Sequence, residues 1–333
     1  MHSFKVWFLL FLCCCLPLAA CASPPEPDQI TVQIKWVHQA QSAGFYAALE
    51  QGYFAEENLQ VELVEGGSGI DPIAALTSGQ ADFAVASPHS VFMAIDNGEK
   101  LKAIATIFQI SPVVFISMPD SGITRPQDFI GKTISVVGVQ ELEIQLHAML
   151  DFLEMDQDAV TLVPHSYDYD QLVAGQVDVQ AYYTTSGLLR LQNAGYEANL
   201  IYPGDYGVHH TGDCLITTAS LLEKDPELAL RFLHAFSRGW RYVTEQQEQA
   251  LQATMRYALE ADMELQRSML TASIPLISTG RQRIGEIDPD TWQSLHDTLF
   301  DQGFISQSIP LDQVIDPSLI ERASSECRDF HCQ

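Results

Sequence analysis

The sequence predicts an α/β fold of two similar lobes, each built on a mostly parallel sheet. Three observations lead there. From Gln29 onward, short apolar strands alternate with helical stretches, and repeated β-α units put helices on both faces of a parallel sheet. An internal echo follows: residues 76–83 read LTSGQADF and residues 172–179 read LVAGQVDV. Gly79 and Gly175 stand 96 positions apart, an offset that sets Ser87 opposite Tyr183. Each unit is a helix stopped by Gly and followed by a buried strand whose last residues point at a crevice. Finally, 333 residues with 47% apolar content suffice for two modest domains with a sizeable core.

Charge narrows the function classes. Acidic residues number 43 against 17 basic, a net charge of −26, which argues against nucleic acid and against a polybasic grip on anionic lipid. It leaves room for an anionic ligand held locally by backbone N–H groups.

The first residues read as an address. Lys5 supplies the positive charge, Val6 to Leu18 is an apolar run too short to span a bilayer, and Leu18-Ala19-Ala20-Cys21 looks like a bacterial lipobox. Residues 1–20 are then a signal peptide, Cys21 the lipidation site and 21–29 a Pro-rich tether, placing the chain on the periplasmic side of a bacterial membrane or on the cell surface. An ordinary signal peptide cut at a small-residue site is the alternative. Cys327 and Cys332 offer a tail disulfide in an oxidising compartment, and Cys214, within DCLITT, reads as a buried thiol. No metal site or cofactor is expected: His209-His210 are adjacent and do not converge on one ion.

The elements run in order. The stretch TVQIKWVHQAQSAGFYAALEQGYF, from Thr31 to Phe54, opens as a strand, turns through Val37 to Gln41, and closes as a helix capped by Ser42 and stopped at Gly52. Leu59 to Val64 is a strand. Asp71-Pro72 starts a helix, Ala81 to Ala86 is a strand, and Ser87-Pro88 opens a helix to about Asp96. Lys100 to Phe108 is a further strand. Strands at Val113–Ser117, Thr133–Val137 and Val160–Pro164, with a helix from about Glu141 to Leu153, build the second lobe. From Ala219 the chain is mainly helical. Pro226 to Glu245 and Pro289 to Gly303 are helices whose Trp240 and Trp292 lie in apolar stripes and read as core.

Several residues are candidates for a site. Trp36, where the first strand meets a helix N-terminus, is either core filler or a flat face for a planar ligand. Gly66 to Gly69, with Gly67 and Ser68 at its centre, either brings bare backbone to a ligand or simply connects; no Gly-Lys-Ser/Thr follows, so it is not a P-loop. Asp213 either reaches the crevice or caps a turn. No Ser-His-Asp or Cys-His constellation is legible, so a catalyst is not expected.

The segments IKWVHQAQSAGFYAALEQGYFAEENLQVELVEGG, GQADF, GITRPQDFIGKTISV, PGDYGVHHTGDCLITT and FSRGWRYVTE together resemble the solute-binding proteins of bacterial ABC importers. The branch is the one that takes thiamine pyrimidine precursors and riboflavin and, more distantly, sulfonates and nitrate. The resemblance implies a type II periplasmic-binding-protein fold: lobe I from 30–111, lobe II from 112–204, and a return to lobe I with C-terminal helices over 205–333. It also implies hinge strands near Gln109 to Val113 and Pro203 to Gly207, with lobe closure as the working motion.

The resemblance also assigns a site. Trp36 matches an aromatic after the first strand, and Gln39 and Gln41 match the Gln-Ala-Gln loop of riboflavin binders. Ser87 and His89 match the second strand-to-helix corner, and Tyr182 matches a ring-stacking tyrosine of pyrimidine binders. In those binders the pattern is Tyr-x-Thr-Asn-Glu-Pro; here it is Tyr182-Tyr183-Thr184-Thr185-Ser186-Gly187, so Ser186 stands where a Glu would pair with an aminopyrimidine. Tyr183, next in the strand, should face the other way from Tyr182. The implied function is a lipid-anchored binding protein that delivers a planar heterocycle, riboflavin-like or a pyrimidine precursor, to ABC permease and ATPase subunits. A sulfonate or nitrate binder of the same fold is the first alternative, and a pyrimidine-synthesising enzyme related to the family the second.

Overall fold

The computed structural model describes residues 26–329. The signal peptide, Cys21, all of the tether before Glu26, Cys332 and the side chain of Cys327 lie outside the described residues. Among the described residues, no helix is long and apolar enough to cross a membrane.

Strands β1 (Asp28–Gln33), β2 (Leu59–Val64), β3 (Phe83–Ala86) and β4 (Leu101–Thr106) lie in the first lobe. Strands β5 (Val113–Ser117), β6 (Thr133–Val137), β7 (Thr161–Pro164), β8 (Val179–Tyr183) and β9 (Asn199–Ile201) form the second, and β10 (Cys214–Thr218) returns to the first. The two five-stranded sheets run β2-β1-β3-β10-β4 and β7-β6-β8-β5-β9. Each has one reversed strand, β10 or β5, antiparallel to both neighbours. This is the two-lobed type II periplasmic-binding-protein architecture.

The internal echo has a physical basis. In lobe I, Asp82 accepts the Thr31 N–H through Oδ2 at 2.8 Å and returns its own N–H to the Thr31 carbonyl at 2.9 Å. In lobe II, Asp178 and Thr133 make the same pair of bonds at 2.8 and 2.9 Å. Gly79 and Gly175 hold positive φ angles of 76° and 66°, the left-handed turn that ends each helix. The repeated Leu-x-x-Gly-Gln-x-Asp thus stitches a helix end to the neighbouring parallel strand.

The segments that join the lobes lie side by side: Ile107 N–H reaches the Asp213 carbonyl at 2.8 Å, Gly212 N–H the Phe108 carbonyl at 2.8 Å, and Ser111 N–H the His210 carbonyl at 3.0 Å. The second crossing therefore falls at 208–213, later than the expected Pro203 to Gly207. That stretch is instead a 3-10 turn, Pro203–Tyr206, closed by Gly207 at φ 89°. The first strand also ends earlier than its alternation suggests. It leaves the sheet after Gln33, and Trp36 stands in the following loop. The helices Gln247–Met255 and Met263–Ile277 fall in the stretch expected to be mainly helical, whereas strand β10 is not among the expected elements.

Lobe I gains its bulk from the C-terminal helices. Trp240 and Trp292 are fully buried, as their stripes predict. The helix Ala43–Glu50 packs on the helix Pro226–Glu245 at a point where both carry glycine. A Cβ on Gly44 would meet the Trp240 ring at 2.2 Å, and one on Gly239 would meet the Gly44 carbonyl at 2.2 Å. Each helical glycine costs about 1 kcal/mol against alanine, and close helix approach is what offsets it. Gly239→Ala should lower the unfolding free energy by about 2 kcal/mol through overpacking. The expected reading is a lower urea midpoint at unchanged slope.

Candidate functional site

The carboxyl ends of the parallel strands from both lobes face one cleft. Just past β1 stands Lys35, and past β3, Ser87. Beyond β6, in the first turn of the helix Gln140–Phe152, is Glu141, where the positive helix end favours a carboxylate. The last residue of β8 is Tyr183. Asp213 completes the ring immediately before β10, whose Cys214 pairs with Ala86.

These side chains meet at one ammonium. Lys35 Nζ donates to Asp213 Oδ1 at 2.7 Å, Tyr183 Oη at 2.8 Å and Glu141 Oε2 at 3.2 Å, and it also contacts Ser87 Oγ. The Tyr183 and Ser87 hydroxyls donate to Glu141 Oε2 at 2.6 and 2.9 Å. Lys35 and Ser87 belong to lobe I, Glu141 and Tyr183 to lobe II, so the cluster ties the lobes together.

Its electrostatics follow from burial and from one cation shared by two carboxylates. Burial works against charge on Glu141, but Lys35, His89 and the two hydroxyl donors outweigh it and hold the carboxyl down to about 2. Asp213, 1% exposed at its side chain, is raised by burial, which Lys35 only partly offsets. Burial would lower Lys35, yet Asp213 and Glu141 raise it well above its ordinary value. The charged cluster keeps one carboxylate more than it has cations. Burial brings His89 and His210 down to about 4, so both rings are neutral near pH 7.

The sequence-predicted residues distribute around this centre. Gln39 donates to Gln41 Oε1 at 2.9 Å, and Gln41 in turn contacts Asp213 Oδ2. Their loop is pinned from far along the chain by Gln266, whose Oε1 accepts the Ala40 N–H at 2.7 Å. Trp36 packs on Tyr167, from the loop after β7, at 5.5 Å between ring centroids. Tyr167 meets His165 at 5.1 Å, and His165 meets Tyr182 edge-on at 5.8 Å. Tyr182 and Tyr183 do face opposite ways: Tyr182 is buried, its hydroxyl donating to the Asp168 carbonyl, whereas Tyr183 reaches the cleft centre. His89 lines a small cavity beside Glu141. Gly67 lies next to Val37 and Ser68 is exposed. The close approach in that loop belongs to Gly66, where a Cβ would sit 2.3 Å from the Ile34 carbonyl oxygen.

Sequence reasoning missed Lys35, Glu141 and Tyr167. Lys35 had a readable signal: a lysine directly after the first strand in a chain with 17 basic residues. A larger groove of about 530 Å³ lies elsewhere, between the helix Pro289–Asp301, the end of the helix Gln140–Phe152 and the second crossing. It is walled by Asp151, Asp290, Asp297 and Asp301, away from the strand ends.

With this geometry in hand, likeness to known proteins is informative. The family described as NMT1/THI5 like matches residues 39–250. The formylaminopyrimidine-binding protein of Halalkalibacterium halodurans is 25% identical, over 93% of this chain and 97% of its own. The riboflavin-binding protein RibY of Chloroflexus aurantiacus is 26% identical over 89% of each. The crystal structure of the aliphatic sulphonate binding protein SsuA from Escherichia coli superposes with a TM-score of 0.71 at 15% identity, covering 86% of this chain and 97% of SsuA.

The buried histidines set a pH dependence. Their values are depressed in the folded state, so they leave stability untouched above about pH 6.5 and remove it as pH falls from there toward 4. Each contributes up to about 3 kcal/mol. Glu141 acts in a lower window, losing its contribution only below its ordinary value of 4.5. The two rings should therefore lower the urea midpoint between pH 6.5 and 4.5, against the opposite contribution of Asp213, whose raised carboxyl favours the folded state as it protonates, and His210→Gln should flatten the histidine part of that slope.

Proposed function

Because the chain belongs to the NMT1/THI5-like family, we propose that it is the substrate-binding component of an ABC importer, closing its lobes on a planar, donor-rich heterocycle of the aminopyrimidine class. The observation that carries this reading is the cleft centre: two carboxylates, Glu141 and Asp213, around the single cation Lys35. An aminopyrimidine presents an amidine-like edge of N–H donors, and a carboxylate is its natural partner. Ser186 lacks that carboxylate, and Glu141, from the other strand-to-helix corner of lobe II, supplies one. Trp36 and Tyr167 add an aromatic wall from each lobe. Both relatives named above are binding proteins, which supports a carrier rather than a catalyst.

The excess negative charge works against the sulfonate or nitrate alternative, since an anion would meet two carboxylates and one lysine already engaged. Riboflavin remains the second reading, favoured by the Gln39-Ala40-Gln41 loop beside Asp213. The same proposal takes Cys21 as the lipid anchor, the periplasmic side of a membrane as the location, and permease and ATPase subunits as partners.

Titration of the purified chain with a formylaminopyrimidine, with riboflavin and with an alkanesulfonate, followed by tryptophan fluorescence, tests it. Saturable one-to-one binding of the pyrimidine is the expected result, and response to a sulfonate alone would reverse it. Glu141→Gln should weaken pyrimidine binding about 30-fold, the worth of a hydrogen bond to a charged group, with the circular dichroism spectrum unchanged.

A further inference from the structure

At the foot of the cleft, behind Glu141, lies a cavity of about 10 Å³ lined by His89, Glu141, Gln145, His210 and Thr211 among others. That is the space of one water-sized group and no more. Its walls are mixed: Pro88, Ile144 and Leu295 are apolar, and the bonding of the polar members is incomplete. Gln145 is 2% exposed; its Nε2 donates to Ser111 Oγ at 2.8 Å, and its Oε1 is buried with no partner among the described residues. An orphaned buried acceptor costs about 1–3 kcal/mol, so its retention calls for a reason. Glu141 spends one oxygen, Oε2, on Lys35, Ser87 and Tyr183. Two histidine rings held neutral by burial flank the space, each with one nitrogen able to accept.

We infer that this recess receives an exocyclic amine of the bound ring, and that Gln145 is a specificity-determining residue for an amino-bearing heterocycle. The inference rests on the pyrimidine reading of the cleft and deepens it. The recess is too small for a ring and right for one nitrogen. Gln145 Oε1, unpartnered among the described residues, and the second Glu141 oxygen offer acceptors to a group with two N–H donors. Glu141, at the border between recess and cleft, faces both the ring edge and the amine. A ligand without the amine would leave the Gln145 carbonyl unpaired on closure, and a site built to bond a donor rejects an analogue lacking it.

The test compares 4-amino-5-hydroxymethyl-2-methylpyrimidine with the analogue carrying hydrogen at position 4, on the full mature chain and on Gln145→Met. Calorimetric titration should show the natural sequence preferring the amine about 100-fold. The variant should cut that preference to about tenfold by losing amine affinity while keeping affinity for the analogue. A purely structural role for Gln145 would weaken both ligands in parallel, and that result overturns the inference while leaving the pyrimidine reading intact. An unchanged preference in the variant does the same, provided its thermal midpoint shows it folded; if it does not fold, Gln145→Leu with Ser111→Ala, which removes both partners of the existing bond, replaces it. If the natural chain binds neither pyrimidine but binds riboflavin, both the reading and the inference fall.

Discussion

One ammonium group holds this molecule's two halves in register. Lys35 emerges where the first strand ends, and everything within its reach comes from a different element: Ser87 after β3, Glu141 after β6, Tyr183 at the end of β8, Asp213 before β10. Parallel sheets make this possible, because the chain leaves every such strand at the same edge. The reversed strand β10 then delivers a carboxylate to that edge from its own beginning. Burying two carboxylates and a lysine is expensive in desolvation, and attraction among them only roughly compensates. Such a cluster is retained for placement: it fixes how the lobes meet and leaves one negative charge to be answered.

That accounting shapes how a ligand is taken up. The cleft centre is occupied by the protein's own hydrogen bonds, so on the proposed function an entering ring would have to part some of them and replace each with its own. On that proposal Lys35 and the ligand would compete for Glu141, and affinity would be the difference between two good sets of bonds. Gln41, tied to Asp213 and joined to Gln39, whose loop Gln266 pins, would on that proposal hold the lobe I wall in place.

Much of the architecture was legible because its signals are local. Strands announced themselves by apolar runs between turn residues, and Gly79 and Gly175 marked helix ends by the left-handed backbone they adopt. The repeated Gly-Gln-x-Asp pointed to two alike lobes for a sound reason, since Asp82 and Asp178 make the same bonds to Thr31 and Thr133. Strand β10 carries a local signal, the run Leu215-Ile216-Thr217-Thr218, rich in β-branched residues, after Gly212-Asp213, but its place in the sheet comes from β3 and β4, more than 100 residues earlier. The central charges escaped for a related reason. A single lysine at a corner and a single glutamate in a helix's first turn each read as solvated groups, and only their meeting across 106 residues gives them meaning. Tyr182 and Tyr183 could be told apart by face, yet which face looks into the cleft depends on the sheet's setting and not on the pair itself.

The position of β10 has a consequence for the order in which the molecule assembles. Lobe II is one unbroken stretch, β5 through β9, and can form as soon as that stretch exists. Lobe I cannot. Its sheet has a vacancy between β3 and β4 that only β10 fills, and β10 follows the whole of lobe II. Until residue 218 is available, the edges of β3 and β4 lack their shared partner and the C-terminal helices have no finished surface to cover. Pairings so distant in sequence make for slow folding. The larger lobe is therefore the one whose sheet closes last.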